Sequence, residues 1–310
     1  MAIEFTAAVA EDGPAISRLL QAAFRAAEPV PSFDPAFLDW KYFNGSNARS
    51  YVLRDRGRLL AHGGLWPVGT ARAWTLVDWA GAPETPGIGV MLVRHLTRLM
   101  ASEGRALLSV SGSEETRQLM PKLGFAPRMP WVKMARIVRP WQQFRTRSGA
   151  ATMREWARLG RNWSWSLAAR SGVQGAPRVD VVRVETEAGW LTSCPGVAAR
   201  RYRTGSDGEE HGGLVVLADG QARLAHWRGG VGDLAAFVDQ LRRDGECSEV
   251  AAISTEAVSE AVLAAAGFRV RDRAWVYAWD PAGNAPGEWA MDWLDDDTVT
   301  LRVPGYPYWT

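Results

Sequence analysis

The sequence predicts an α/β fold built as two similar halves, and three observations predict it. At 310 residues the chain holds material for two domains of ordinary size. Its apolar pattern switches between strand-like alternation and helical spacing, in a mixed order that suits a central sheet flanked by helices. A set of glycines and short hydrophobic runs in the first half recurs in the second.

Composition narrows the classes. The apolar share is 47% and the charged share 23%, a soluble globular balance. Thirty-six basic against 34 acidic side chains leave a net charge of +2, which gives no whole-chain case for a nucleic-acid partner and excludes a disordered polyelectrolyte. Two cysteines, Cys194 and Cys247, exclude a disulfide scaffold and a Cys-rich zinc site. His62, His95, His211 and His226 lack ligand spacing, so no metal is expected. The start MAIEFTAAVAEDG has no basic leader, and no apolar stretch approaches the ~18 residues of a membrane span. A cytoplasmic chain without a transmembrane segment is the expectation. Sixteen tryptophans suit wide, partly lined clefts and domain contacts. Basic charge is almost all arginine, with lysine only at 41, 122 and 133.

In chain order, residues 3–9 alternate as a strand, and Asp12 caps a helix whose Ile16, Leu19, Leu20, Ala23 and Phe24 share one face. Residues 36–43 read as a short helix stopped by Asn44-Gly45. Residues 51–55 and 58–66, joined at Arg56-Gly57, form a hairpin, and 71–82 extends it to a meander. The turn from Pro83 to Gly89 feeds an amphipathic helix from Val90 to Ser102. A buried strand (106–112), a helix from Glu114 to Leu123 closed by Gly124, and a strand (132–138) complete the first half.

The second half echoes the first. RRYRTG (200–205) echoes WKYFNG (40–45), and RLAHWR (223–228) echoes LLAHGG (59–64). Gly230 and Gly232 match Gly87 and Gly89, and Gly267-Phe268 matches Gly124-Phe125, all at one constant separation. Between them fall a helix from Asp233 to Arg243, a strand (249–254) and a helix from Glu256 to Ala266. The hairpin echo lies at a larger separation, so the second copy reads as having lost about one strand. The domains expected are 1–140, a helical linker 141–178, and a degenerate copy 179–310. In the linker, Met153, Trp156, Trp163 and Leu167 face one way and Arg154, Arg158 and Arg161 elsewhere, as a helix packed between domains or one lying on a membrane surface. In the alternating tail, Asp295-Asp296-Asp297 reads as a solvated turn, or as a binder of a cation or amine.

A glycine turn from strand into helix presents backbone N–H groups that attract phosphate. The frame Gly81-Ala82-Pro83-Glu84, Gly87-Ile88-Gly89, amphipathic helix, buried strand, short helix and Lys122-Leu123-Gly124-Phe125 resembles the GNAT superfamily of acyl-CoA N-acyltransferases. The resemblance covers residues 3–138 and, through the repeat, implies a tandem of two GNAT-like domains, each a mixed, mainly antiparallel central sheet flanked by helices.

The resemblance implies acetyl-CoA or another acyl-CoA as co-substrate, no metal, and transfer of the acyl group to a small-molecule primary amine, with an amino sugar or polysaccharide precursor the favoured acceptor. It places the cofactor on Gly87, Ile88, Gly89 and Val90, with Ala80 and Ala82 on the strand before them. Catalytic candidates are Asp78, His62 and Ser111. Asp78 would act as base, its pKa raised by shielding from Trp66, Trp74 and Trp79. His62 is either a second base or a satisfied sheet histidine. Three departures from the family pattern stand out. Glu84 replaces the usual Gln or Arg of the phosphate loop, Met120 and Leu263 replace the tyrosine acid, and Ser113 and Glu256 replace the usual asparagine. These favour, as alternatives, a non-catalytic binding or scaffold protein that kept the fold; a Fem-type aminoacyl transferase is a further tandem arrangement.

Overall fold

The computed structural model describes residues 3–24, 29–44, 47–68, 72–110, 114–139, 179–182, 186–204, 211–218, 220–283 and 291. The expected linker helix (151–170) and the Asp295–Asp297 turn lie outside the described residues. The chain forms two compact units. The first takes the chain up to Trp131, Ser193–Pro195 and the stretch from Ala274 onward. The second takes Val132 to Thr192 and Gly196 to Arg273. The units are therefore not successive segments, in contrast to the sequential split expected at 140.

The first unit contains β1 (Ile3–Ala7), α1 (Gly13–Phe24), α2 (Pro35–Asp39) running into a π-helical turn (Trp40–Asn44), β2 (Arg49–Asp55), β3 (Arg58–Pro67), β4 (Ala73–Gly81), α3 (Ile88–Ser102), β5 (Ala106–Val110) and α4 (Glu114–Leu119). Arg56 and Gly57 both hold positive φ, +50° and +81°, and join β2 to β3 as the two-residue turn that matches strand twist. Asp12 closes the start of α1 from behind: its carboxylate accepts the Val9 N–H at 3.0 Å and pairs with Arg54. Leu92, Val93, Leu96 and Met100 of α3 bury against Leu53, Leu65, Leu76 and Leu107 of the sheet.

The sheet order in this unit is β1-β2-β3-β4-β5-β12, where β12 (Arg269–Trp279) comes from the far end of the chain. Val276–Trp279 pair antiparallel with Val110–Leu107, and Tyr277 and Trp279 pack on the α3 core. β4 and β5 run parallel but pair only over Ala73–Thr75 and Ala106–Leu108. Beyond those residues β4 continues to Gly81 with β3 on one side and no strand paired on the other among the described residues.

The second unit contains the later part of β6 (Ala126–Ile137), β7 (Val179–Val182), β8 (Ala198–Thr204), β9 (His211–Ala218), β10 (Gln221–Arg228), α5 (Val231–Asp244), β11 (Glu249–Ser254) and α6 (Ala257–Ala265). Its sheet order is β7-β8-β9-β10-β11-β6, with β10 and β11 parallel and the other neighbouring pairs antiparallel. This is the topology of the first unit with β6 in the place of β12, so each copy's sixth strand has been exchanged. The ends of α4 and α6 match as well: Phe125 N–H donates to Met120 O at 3.1 Å and Phe268 N–H to Leu263 O at 2.9 Å, each around a left-handed glycine, Gly124 and Gly267.

Two expectations are corrected here. RLAHWR is β10, the counterpart of β4 and not of β3, so the second copy keeps its whole meander. RRYRTG lies largely in β8, whereas WKYFN is a π-helical turn, so that echo is coincidental. Between β7 and β8 the described chain shows only a 3₁₀ stretch, Thr186–Ser193, where the first unit has α1 and α2.

Residues 1–140 expressed alone lack β12 and leave β5 an open edge beside Tyr277's vacated place in the core. That fragment should show no cooperative thermal transition by circular dichroism, while the full chain shows one.

Candidate functional site

β4 carries a bulge where β5 has already left it. The pairs His62↔Ala80 and Gly64↔Val77 enclose Gly63 on β3 and both Asp78 and Trp79 on β4. Asp78 takes φ +47°, a left-handed conformation that costs a non-glycine residue about 1 kcal/mol or more.

A buried polar network holds it there. The π-helical turn after α2 presents Lys41, 1% exposed, whose ammonium lies 2.7 Å from Asp78 Oδ2. Tyr42 Oη–H donates to the same oxygen at 2.6 Å. Lys41 Nζ also lies 5.2 Å from the Tyr42 ring centroid and 5.9 Å from that of Trp66. His62, fully buried, donates Nδ1–H to the Asp78 carbonyl oxygen at 3.0 Å. Its Nε2 is thereby left as an acceptor, and Ser50 Oγ–H fills it at 2.9 Å.

These contacts set the charges. Burial alone would push the Asp78 carboxyl up, but the Lys41 ammonium and the hydrogen bonds from Lys41 and Tyr42 outweigh it and hold the carboxyl below its ordinary range. The expected upward shift from surrounding tryptophans is thus reversed. Asp78 is the counter-ion of Lys41 rather than a base poised near neutrality. Burial holds the His62 ring at about 4 against the attraction of Asp78, with Lys41 lowering it further. A neutral imidazole with both nitrogens engaged and no exposure is the satisfied sheet histidine, not a base open to substrate.

The bulge also places Trp79, whose indole N–H donates to Gly89 O at 2.9 Å in the first turn of α3. Strand and helix start meet closely here: a Cβ on Gly81 would lie 2.8 Å from Gly89 N and 2.8 Å from Ile88 Cγ2. Among the residues expected to cradle a cofactor, Gly87 is exposed, at φ +80°, and starts α3 without a side-chain cap. Gly89 and Val90 are half-buried. Ile88 N–H is turned to Thr85 O at 3.2 Å and its side chain lies in the core. Ala80 and Ala82 are buried, and Ala82 N–H donates to Leu60 O at 2.7 Å. Glu84, the unexpected acid of this turn, is paired with Arg58 of β3.

The matching helix start in the second unit is closed. Asp233 Oδ2 accepts Gly230 N–H at 3.1 Å and lies 3.2 Å from His211 Nδ1. A carboxylate therefore occupies the N-terminus of α5, where an anion would otherwise bind.

No family model and no curated protein matches the sequence. Solved structures do match. A tandem GNAT protein from the clavulanic acid biosynthesis pathway superposes with TM-score 0.59 at 15% identity, over 90% of this chain and 98% of that one. The chain has the tandem GNAT fold. A GCN5-related N-acetyltransferase from Anabaena variabilis matches with TM-score 0.58 at 10% identity, over 89% of this chain and 72% of the other. A GCN5-related glucosamine N-acetyltransferase region of a fungal multi-domain GH3 β-N-acetylglucosaminidase matches with TM-score 0.53 at 8% identity, over 90% of this chain and 38% of the other.

Within that GNAT frame, Met120 is fully buried in the α3 core and Leu263 sits in the equivalent core of the second unit. Apolar packing thus holds both positions where the sequence resemblance implies a tyrosine acid. Ser111 and Ser113 lie outside the described residues. Lys41, Tyr42 and Ser50 are absent from the site that the sequence suggests, and Trp79 enters it only as a shield for Asp78, not as the link from strand to helix. One signal pointed to Lys41: it is one of three lysines in a chain whose cations are otherwise arginine.

Two measurements test this construction. Gly81→Ala forces the α3 start away from β4 and should cost about 1–3 kcal/mol, read as a lower midpoint in urea unfolding. The second concerns acid. A ring held at about 4 instead of the ordinary 6.5 means that the unfolded chain binds the proton first. Stability is therefore complete above pH 6.5 and falls as pH drops toward 4, by about 3 kcal/mol from this ring. Asp78, also depressed, adds to the loss at still lower pH. His62→Gln should flatten the Tm profile between pH 6.5 and 4.

Proposed function

We propose that the first unit binds an acyl-CoA thioester along the open edge of β4 and at the start of α3, and passes the acyl group to a primary amine. The observation that carries this reading is the contrast between the two helix starts. α3 begins at an exposed, uncapped, left-handed Gly87, while α5 begins under its own Asp233. The first helix start holds no carboxylate of its own, whereas Asp233 sets a negative charge where a pyrophosphate would approach the second. Pairing Glu84 with Arg58 offsets the one acid in that turn.

The unpaired edge of β4 suits an extended, amide-bearing chain such as pantetheine, which can add to it as a strand would. The acceptor nitrogen attacks the thioester carbonyl carbon, the C–N bond forms, and the C–S bond breaks to release thiolate. His62 and Asp78 are committed to the buried network, so the amine proton passes to water. Met120 offers no proton, so the thiolate takes one from solvent. Binding and orientation then supply most of the acceleration. An amino sugar is the acceptor we favour, supported by the tryptophan-rich composition and by the description of the fungal neighbour as a glucosamine N-acetyltransferase region.

Isothermal titration with acetyl-CoA tests the site. Gly89→Asp, which sets a carboxylate in the first turn of α3, should weaken binding more than tenfold while thermal melting confirms the fold. Gly232→Asp, with nothing near its added Cβ, should bind as wild type does. Equal loss in both variants, or none in either, rejects the placement. Turnover across a panel of amines and amino sugars tests transfer. Here kcat/KM should climb with pH toward the acceptor's own pKa, with no inflection belonging to a protein base. Tight binding without turnover on any amine would favour the non-catalytic reading.

A further inference from the structure

We infer that the buried Lys41–Asp78 pair, with Tyr42 and His62, is a positioning device that aims the Trp79 backbone N–H away from the Tyr42 side of the sheet, onto the side where α3 packs. The inference deepens the acyl-CoA reading and rests on it for what that N–H would meet.

The geometry is as follows. His62 and Gly64 face Tyr42, whose ring a Cβ on Gly64 would overlap. Gly63 faces the other way, with its Cβ position 3.1 Å from Leu92 and 3.2 Å from Leu96 of α3. The Asp78 carbonyl accepts from His62 and is therefore turned to the Tyr42 face. No described peptide bond is cis, so the N–H of Trp79 opposes that carbonyl and points away from His62. A fixed backbone N–H at an open strand edge is the type of donor that stabilises charge developing on a thioester oxygen.

Stability alone does not account for the device. A buried ion pair adds little over apolar packing, and glycine would take φ +47° at position 78 without strain. The second unit supplies an internal comparison. β10 has its own bulge, with Ala225 as the extra residue between the Leu224↔Val215 and His226↔Leu214 pairs. Among the described residues only Arg56 and Asp78 are non-glycine residues with positive φ, so that bulge forms without strain and with alanine in place of an ion pair. The strained, charged bulge occurs in the unit whose helix start is open, and the relaxed one in the unit whose helix start is capped.

The test uses the whole protein with Lys41→Met, with the double variant Lys41→Met/Asp78→Gly, and with His62 changed to Gln or to Leu. Amide hydrogen exchange without ligand reads the bulge directly. Lys41→Met should speed exchange at Ala80, which pairs with His62 beside the bulge, at least tenfold while β1 and β2 stay as in wild type. The double variant removes both charges and lets residue 78 keep its conformation, so it should return to the slow pattern. With acetyl-CoA and an accepted amine, Lys41→Met should lower kcat about 100-fold with KM changed less than threefold. The double variant should regain at least tenfold. His62→Gln, which can still donate to the Asp78 carbonyl, should keep activity that His62→Leu loses at equal Tm. Unchanged exchange in Lys41→Met overturns the inference, as does a double variant with wild-type exchange and Tm but no regained kcat. If the wild-type protein neither binds nor turns over acetyl-CoA, the proposed function fails instead. The exchange data then still decide whether the pair aims the amide.

Discussion

Asp78 is held in a left-handed backbone conformation from two directions: Lys41 and Tyr42 grip its carboxylate, and His62 grips its carbonyl. That constraint shapes the first unit. The bulge it fixes bends β4 after Thr75, past its last pair with β5, and turns the Trp79 indole onto the start of α3. The approach of Gly81 to Gly89 then leaves the helix start and the strand edge as one continuous surface. A single network beneath the sheet thus organises the groups above it on which we propose that a CoA ester binds.

The two units show how one topology carries two electrostatic outcomes. Both have a parallel pair after an antiparallel meander, both bulge the strand before the helix, and both close the following short helix with a Gly-Phe pair. They part in a few side chains. Gly87 leaves α3 uncapped, and Asp233 closes α5. Lys41 and Asp78 fill the underside of one bulge, and alanine occupies the other. Fold and chemistry separate along those residues, because backbone pairing tolerates either choice while an anion or a thioester does not.

The tryptophans divide between packing and precise contact. Trp66 is 1% exposed and lies beside Lys41, where its ring faces the ammonium. Trp79 uses its N–H to link strand to helix. Trp40 donates to Ser193 at 3.2 Å, which draws Ser193–Pro195 into the first unit. The Asp78 carboxylate itself is paired with Lys41 and Tyr42.

Local order was legible from the residues. The turn at Arg56-Gly57, the amphipathic face of α3, the strand 249–254 and both Gly-Phe closures are dictated by φ preference and by apolar spacing, which act within a few residues and so leave their mark in the sequence. The glycine register pointed to two copies and to the GNAT resemblance for the same reason. Partner choice between distant strands left no such mark. β6 and β12 both carry apolar residues that bury, and their local pattern names no partner, so only the assembled cores decide that Val132–Ile137 serves one unit and Val276–Trp279 the other. The same limit misplaced RLAHWR by one strand, because its local pattern fits either side of a hairpin. The site divides likewise: Asp78 and His62 were visible as polar residues on central strands, but their roles depended on Lys41, 37 positions away in the chain and 2.7 Å away in space. Charge state follows from what surrounds a group, and only the tertiary structure brings those surroundings together.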